Sequence, residues 1–128
     1  MNSVDISQIV SAGAAIASFV GSVIVYKMSL GRERRLDTLR TLSELRMRYP
    51  TVEGMCKGDK LDYLQELEFF ATGVNNKIYD IKIVKRMSKS RLTTQYNLYL
   101  KKFIEERREK KNSTSYIEYE KMIQKLEN

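Results

Sequence analysis

The feature that most constrains this chain is an uncharged stretch of twenty-one residues near its start, from Ile6 to Tyr26, bounded by Asp5 and Lys27. With a rise of about 1.5 Å per residue, an α-helix of this length extends about 31 Å, which matches a hydrocarbon core of about 30 Å. Lipid offers no partners to backbone amides, so a single segment can cross it only as a helix. The stretch therefore predicts a transmembrane helix at 6–26.

The charges on either side of this stretch predict an orientation. The short outer tail, residues 1–5, carries only Asp5, whereas basic residues follow the stretch at Lys27, Arg32, Arg34, Arg35 and Arg40. Because basic residues stay on the cytoplasmic side, we expect the N-terminus outside and the remainder in the cytoplasm. A cleaved signal would have its positive charges first, so we expect the segment to be retained in the cell inner membrane as a single pass.

Four serines within the stretch share one helical face. At about 100° per residue, Ser7, Ser11, Ser18 and Ser22 fall together, opposite isoleucines and valines. An isolated membrane helix gains nothing from this separation, so the stripe predicts neighbouring copies of the chain, a homo-oligomer. Two interpretations stay open: small side chains that let helices pack closely, or hydroxyls that line a narrow pore.

The rest of the chain is predicted to be helical, which gives an all-α fold with a transmembrane helix, a juxtamembrane connecting helix at 27–49 and a small helical cytoplasmic domain at 50–128. Pro50 ends the connecting helix. Asp59 and Asp80 are candidate N-caps, and Gly73 is a candidate helix stop. The expected helices of the domain cover Lys60 to about Thr72, 81–92, Thr93 to about Lys110, and a last segment that follows a cap within 112–115.

The chain offers little for catalysis or metal binding. It has one cysteine, Cys56, and no histidine. A Cys/His zinc site is therefore excluded, and no glycine-rich phosphate loop or nucleophile motif is present. We expect no enzyme activity, no cofactor and no metal.

The net charge of +7 has a local origin. Residues 77–111 contain twelve basic and four acidic residues. Such a block is either a solvated or lipid-facing surface, or a site for a polyanion. Tyr96 and Tyr99 share a face with Leu100 and Phe103, so we expect them in the core, although exposed tyrosines would stack on bases. The candidate polyanion-binding residues are Lys82, Lys85, Arg86, Lys89, Arg91, Lys101 and Lys102.

One segment carries a resemblance. Leu64–Arg86 reads L-x-x-L-E-F-F-A-T-G-V-x-x-x-x-Y-D-x-x-x-V-K-R, and S-R-L follows at Ser90–Leu92. Over about Leu61 to Arg107 the chain resembles a bacterial domain of unknown function, found in small proteins with one membrane helix and a helical cytoplasmic part. The shared positions suggest structural roles, including turn closure, capping and a Glu68–Arg91 pair.

The layout also resembles the channel-forming membrane effector of the Hailong anti-phage defence system. That resemblance implies a homo-oligomeric pore in the lipid bilayer, controlled by a single-stranded nucleic acid or nucleotide signal that a companion enzyme makes. Our hypothesis from the sequence is such a pore, with its ligand on the basic helices. The alternative is a non-conducting, membrane-tethered scaffold or regulator that binds a protein partner.

Overall fold

The computed structural model describes the backbone of residues 3–111 and 114–128, and within them the side chains from Ala17 onward. These residues form five α-helices and one π-helical turn without any strand, which confirms the predicted all-α fold. Contacts divide the chain into two units, Met1–Glu33 and Arg34–Asn128, and we call the second the helical unit. The elements are α1 (Ser3–Arg48), α2 (Lys57–Asn75), α3 (Ile81–Gln95), the π turn (Tyr96–Leu100), α4 (Lys101–Lys111) and α5 (Ile117–Glu127).

The predicted transmembrane helix at 6–26 is not supported. Among the residues that the structure describes, no helix is both long and apolar enough to cross a membrane. The prediction of a single-pass inner-membrane protein is therefore wrong.

The serine stripe is described in part. Ser18 and Ser22 are exposed on α1 and line a shallow depression together with Gly21, Val25 and Ser29. The side chains of Ser7 and Ser11 lie outside the described residues. Ser18 and Ser22 thus lie on the same side of α1.

In the helical unit, one apolar core joins the end of α1 to all the later helices. Leu42 and Leu45 of α1 reach this core, and Val52 joins it from the loop. The helix α2 buries residues at three- and four-residue spacing, as expected of a helix that packs on one side. Its buried members are Tyr63, Leu64, Leu67, Phe70, Ala71 and Val74, and those of α5 are Tyr119, Met122, Ile123 and Leu126.

The helix α2 is longer at both ends than the sequence predicts. It begins at Lys57 after Cys56, which forms no side-chain cap, so Asp59 lies in the first turn and is not the N-cap. There its charge faces the positive end of the helix dipole. Gly73 does not end α2, which continues to Asn75. It is buried because the Tyr79 ring lies against it: a Cβ at Gly73 would be 2.5 Å from Tyr79 Cδ2.

The helix α3 begins where the sequence predicts. Asp80 is its N-cap, and its carboxylate accepts a hydrogen bond from the Lys82 N–H at 2.9 Å. The fully buried Thr38 of α1 adds a second support, since its hydroxyl accepts from the Asp80 N–H at 2.8 Å and donates to the Arg34 carbonyl. Local capping and a contact distant in sequence therefore fix the same helix start.

No break occurs at Thr93, where the sequence suggested a new helix. The helix α3 passes into α4 through the π turn. The buried apolar residues along α3, the π turn and α4 are Val84, Leu92, Leu100 and Ile104. Their spacings of eight, eight and four are multiples of four residues, whereas an α-helix repeats every 3.6 residues. The wider π turn takes up part of this difference, so that residues on both sides of it face the core.

The helix α5 takes its cap from another helix. Its N-cap residue is Tyr116, at φ 67°, and it provides no side-chain cap. Instead the Glu68 carboxylate of α2 accepts from the N–H groups of Glu118 at 3.0 Å and Tyr119 at 2.9 Å. Neither Thr114 nor Ser115 is therefore the N-cap residue, while Asn112 and Ser113, the other two residues predicted for a cap, lie outside the described residues. A Glu68–Arg91 pair is not formed.

Two buried tyrosine hydroxyls differ in their partners. The Tyr63 hydroxyl donates to Gln95 Oε1 at 2.6 Å, and both side chains are buried. Burial raises the Tyr63 pKa to about 12. Tyr119 is fully buried, which raises the pKa of its hydroxyl well above the usual value, yet that hydroxyl has no hydrogen-bond partner among the described residues.

Replacement of Gly73 by alanine should destabilise the helical unit. Alanine favours a helix by up to about 1 kcal/mol, but the new methyl would overlap the Tyr79 ring, and overpacking of this kind costs about 1–3 kcal/mol. Gly58→Ala is the matched control, because nothing lies within 4 Å of a Cβ there. Urea unfolding should show a lower midpoint for Gly73→Ala only. Equal midpoints for the two variants would contradict the close contact.

Removal of the two buried hydroxyls should change the free energy of unfolding differently. Tyr63→Phe leaves Gln95 Oε1 buried without its donor, which costs about 1–3 kcal/mol. Tyr119→Phe removes a hydroxyl that has no partner among the described residues, so the free energy of unfolding should stay the same or rise. Thermal or urea unfolding of both variants measures the difference. A larger loss in Tyr119→Phe than in Tyr63→Phe would contradict this account.

Candidate polyanion-binding site

The candidate site is a groove between α3 and the end of α1, which we call the basic groove. Its volume is about 790 Å³. Five basic side chains line it: Arg46 from α1, and Lys85, Arg86, Lys89 and Arg91 from α3. The other lining residues, none of which is acidic, are Met87, Ser90, Thr93, Thr94 and Gln95.

Helical spacing explains how α3 presents these cations. Lys85 and Arg86 lie four and three residues before Lys89, and all three are exposed. Residues at this spacing lie on one face of a helix. Val84 and Leu92 are buried. Burial of that apolar side therefore directs the basic side out of the core.

Arg91 is held differently from the other cations. It is half-buried, and its Nη2 donates to the carbonyls of Tyr49 at 2.9 Å and Pro50 at 3.1 Å. Both contacts use one nitrogen, so donors on Nη1 and Nε remain for a ligand. Arg91 thus joins α3 to the chain segment after α1 and keeps part of its guanidinium for the groove.

The charges of the groove are not compensated locally. None of its five cations forms an ion pair with a carboxylate in the described part of the chain. Cations gathered in this way repel each other and raise the local positive potential. An anion with several charges would relieve that repulsion.

The sequence identified four of these five cations. The other three predicted residues lie elsewhere: Lys82 is exposed in the first turn of α3, and Lys101 and Lys102 are exposed on α4. Arg46 was missed because it precedes the basic block by more than thirty residues. Its place in the basic run R-M-R at 46–48 is only a weak signal, since the contact between α1 and α3 cannot be read from spacing.

The tyrosines near the π turn are not free to stack on bases. Tyr96 is half-buried, lies edge-on to Tyr119 at 5.6 Å between ring centroids, and donates its hydroxyl to Glu120. Burial, together with this bond, raises the Tyr96 pKa. Tyr99 is half-buried against the core. Neither residue lines the basic groove.

In the described ranges, no cluster of three or more histidine, cysteine or acidic side chains could hold a metal ion. Cys56 is exposed at the start of α2. The groove itself is lined by hydroxyl-bearing and positively charged side chains.

Comparison with known proteins gives a family. No curated protein and no solved structure matches the chain significantly. A family described as "Domain of unknown function (DUF4760)" matches residues 57–126, from the first residue of α2 into the last turn of α5. This segment is more than half of the 128 residues and contains all the α3 residues of the basic groove. The chain therefore belongs to the DUF4760 family.

Proposed function

We propose that the helical unit is a binding module for nucleic acid, which it holds by the phosphate backbone in the basic groove. The observation that carries this proposal is the set of five unpaired cations, with no acidic residue among the lining side chains. Arginine and lysine are the side chains that most often contact phosphate oxygens. Release of the counterions around a nucleic acid would supply the affinity.

The polar residues between the cations fit the same ligand. The hydroxyls of Ser90 and Thr94 form no hydrogen bond with any described residue, so both can donate to phosphate oxygens. Thr93 already donates to the Lys89 carbonyl at 2.8 Å and can only accept. Two free hydroxyl donors beside arginine and lysine match an anion that has several oxygens.

The composition of the groove favours a long polyanion over a single nucleotide. None of its lining residues is aromatic, and Tyr96 is committed to Glu120. A base would therefore have no ring to stack on, although stacking supplies much of the affinity for single bases. Several phosphates in a row would use several cations at once. Binding should accordingly depend on charge and hardly on base sequence.

The proposal does not include a pore or a membrane tether, because no described helix can cross a membrane. An acidic protein segment would meet the same charges, so it is the rival ligand that an experiment must separate. Phosphate and carboxylate both accept bidentate hydrogen bonds from arginine. A carboxylate chain of equal charge therefore provides the comparison.

Neutralisation of groove lysines should weaken nucleic-acid binding. For a labelled duplex DNA, the double variant Lys85→Gln, Lys89→Gln should lower the affinity and flatten the plot of log affinity against log salt by about one for each lysine removed. Fluorescence anisotropy at several salt concentrations measures both quantities. The full set of five contacts would give a slope of about −4.5.

The matched control is the double variant Lys101→Gln, Lys102→Gln. It removes the same charge from exposed positions on α4 outside the groove, so it should leave most of the affinity and slope. Equal losses in both variants would refute the groove as the site. Competition by poly-glutamate as strong as that of DNA at equal charge would instead indicate an acidic protein partner.

A further inference from the structure

A second surface of the helical unit stands out because its central side chain is a phenylalanine. Phe69 of α2 is 78% exposed, whereas its neighbour Phe70 is buried. Gln65 and Thr72, four residues before and three after, are also exposed, so the three side chains share one face of the helix. We call this ridge, with the grooves on its two sides, the Phe69 face.

The two grooves share Phe69 and Gln65, so they lie on opposite flanks of one ridge. The first groove, about 410 Å³, lies between α2 and the end of α1, and Glu44, Arg48 and Glu66 line it. The second, about 570 Å³, lies between α2 and the junction of α4 and α5, where Arg107, Lys111 and Tyr116 line it. None of the residues that line the basic groove belongs to either.

These flanking grooves carry opposite charges. In the first, Arg48 is paired with Glu66, which leaves Glu44 without an ion pair among the described residues. In the second, Glu68 is engaged by the N–H groups of α5, which leaves Arg107 and Lys111 uncompensated there. The face is therefore negative on the α1 flank and positive on the α4 flank, with the exposed Phe69 ring between them.

We propose that the Phe69 face docks against the same face of a second copy of this chain, about a two-fold axis that runs along α2. Rotation about that axis places the α1 flank of one copy opposite the α4 flank of the other, while Phe69 meets Phe69. Glu44 then faces Arg107 and Lys111 of the other copy, and symmetry repeats the contact. Because the face carries both signs of charge around an apolar centre, it is complementary to a second copy of itself. A partner with only one sign of charge would match one flank and be repelled by the other.

This inference does not rest on the proposed function. The docking face lies on α2 and the basic groove on α3, so the copies would present two basic grooves per dimer. Two linked sites would bind a long polyanion more tightly than one. Loss of dimerisation and loss of groove charge are separable by the variants named for each.

A charge exchange tests the proposal. In the full chain, Glu44→Lys alone, and Arg107→Glu with Lys111→Glu, should each raise the dimer dissociation constant by about tenfold or more, because each change places like charges opposite one another twice. The triple variant Glu44→Lys, Arg107→Glu, Lys111→Glu restores opposite charges across the axis and should return the constant to within about threefold of wild type. Sedimentation velocity over a range of concentrations measures it. A monomeric wild type, or a triple variant weaker than both partial ones, would overturn the proposal.

Cross-linking separates this face from the exposed apolar residues of α1, such as Phe19 and Val25. In a Cys56→Ser background, Gln65→Cys should react with a short bis-maleimide to give a covalent dimer. Lys82→Cys, at an exposed position on α3, is the control and should give little. Equal yields at both positions, or none at Gln65→Cys, would refute docking through the Phe69 face even if the chain associates elsewhere.

Discussion

The fold of the helical unit depends most on the carboxylate of Glu68, which occupies the start of α5. An eleven-residue helix is too short to be stable alone in water, and α5 starts after a residue of positive φ that provides no side-chain cap. Glu68 binds the N–H groups of Glu118 and Tyr119, as an N-cap side chain would. Its negative charge also complements the helix dipole there. A side chain of α2 therefore provides what the sequence of α5 lacks.

A second contact fixes the position of α5 along α2. Asn75, at the end of α2, donates to the backbone carbonyl of Glu118 at 3.0 Å and to its carboxylate at 2.7 Å. That donation lowers the pKa of Glu118. With Glu68 and Asn75 on one helix and both partners in the first turn of the next, sliding of α5 along α2 would break several hydrogen bonds at once. The buried side chains of α5, from Tyr119 to Leu126, are thereby placed in the core in one register.

What the sequence predicted correctly was local. The all-helical fold follows from apolar spacing, the start of α3 from Asp80, and the end of α1 just before Pro50 from proline sterics. The basic side of α3 follows from three- and four-residue spacing. Each of these features involves residues within one turn of one another. Sequence patterns are most informative at that range.

Most of the wrong predictions from the sequence concern contacts between residues that are far apart in the chain. Gly73 was expected to end α2 but instead makes room for Tyr79, and Glu68 was expected to pair with Arg91 but caps α5. Arg46 reaches the basic groove only because α1 packs beside α3. The membrane prediction is an exception, because it relied on a local apolar stretch; no described helix is both long and apolar enough to cross a membrane.

The position of the basic groove traces back to the missing side chain of Gly73. The carbonyl of Gly73 accepts from the N–H groups of Ile78 at 2.8 Å and Tyr79 at 3.2 Å, so the chain turns back tightly after α2. The Tyr79 ring then lies against Gly73 and near Phe70, with 5.0 Å between the two ring centroids. Asp80 follows directly, bonds to Thr38 and starts α3. A larger residue at position 73 would displace Tyr79, and with it the helix that carries four of the five groove cations. The close contact between Gly73 and Tyr79 therefore helps to fix where α3 starts, and with it where the basic residues of α3 are placed.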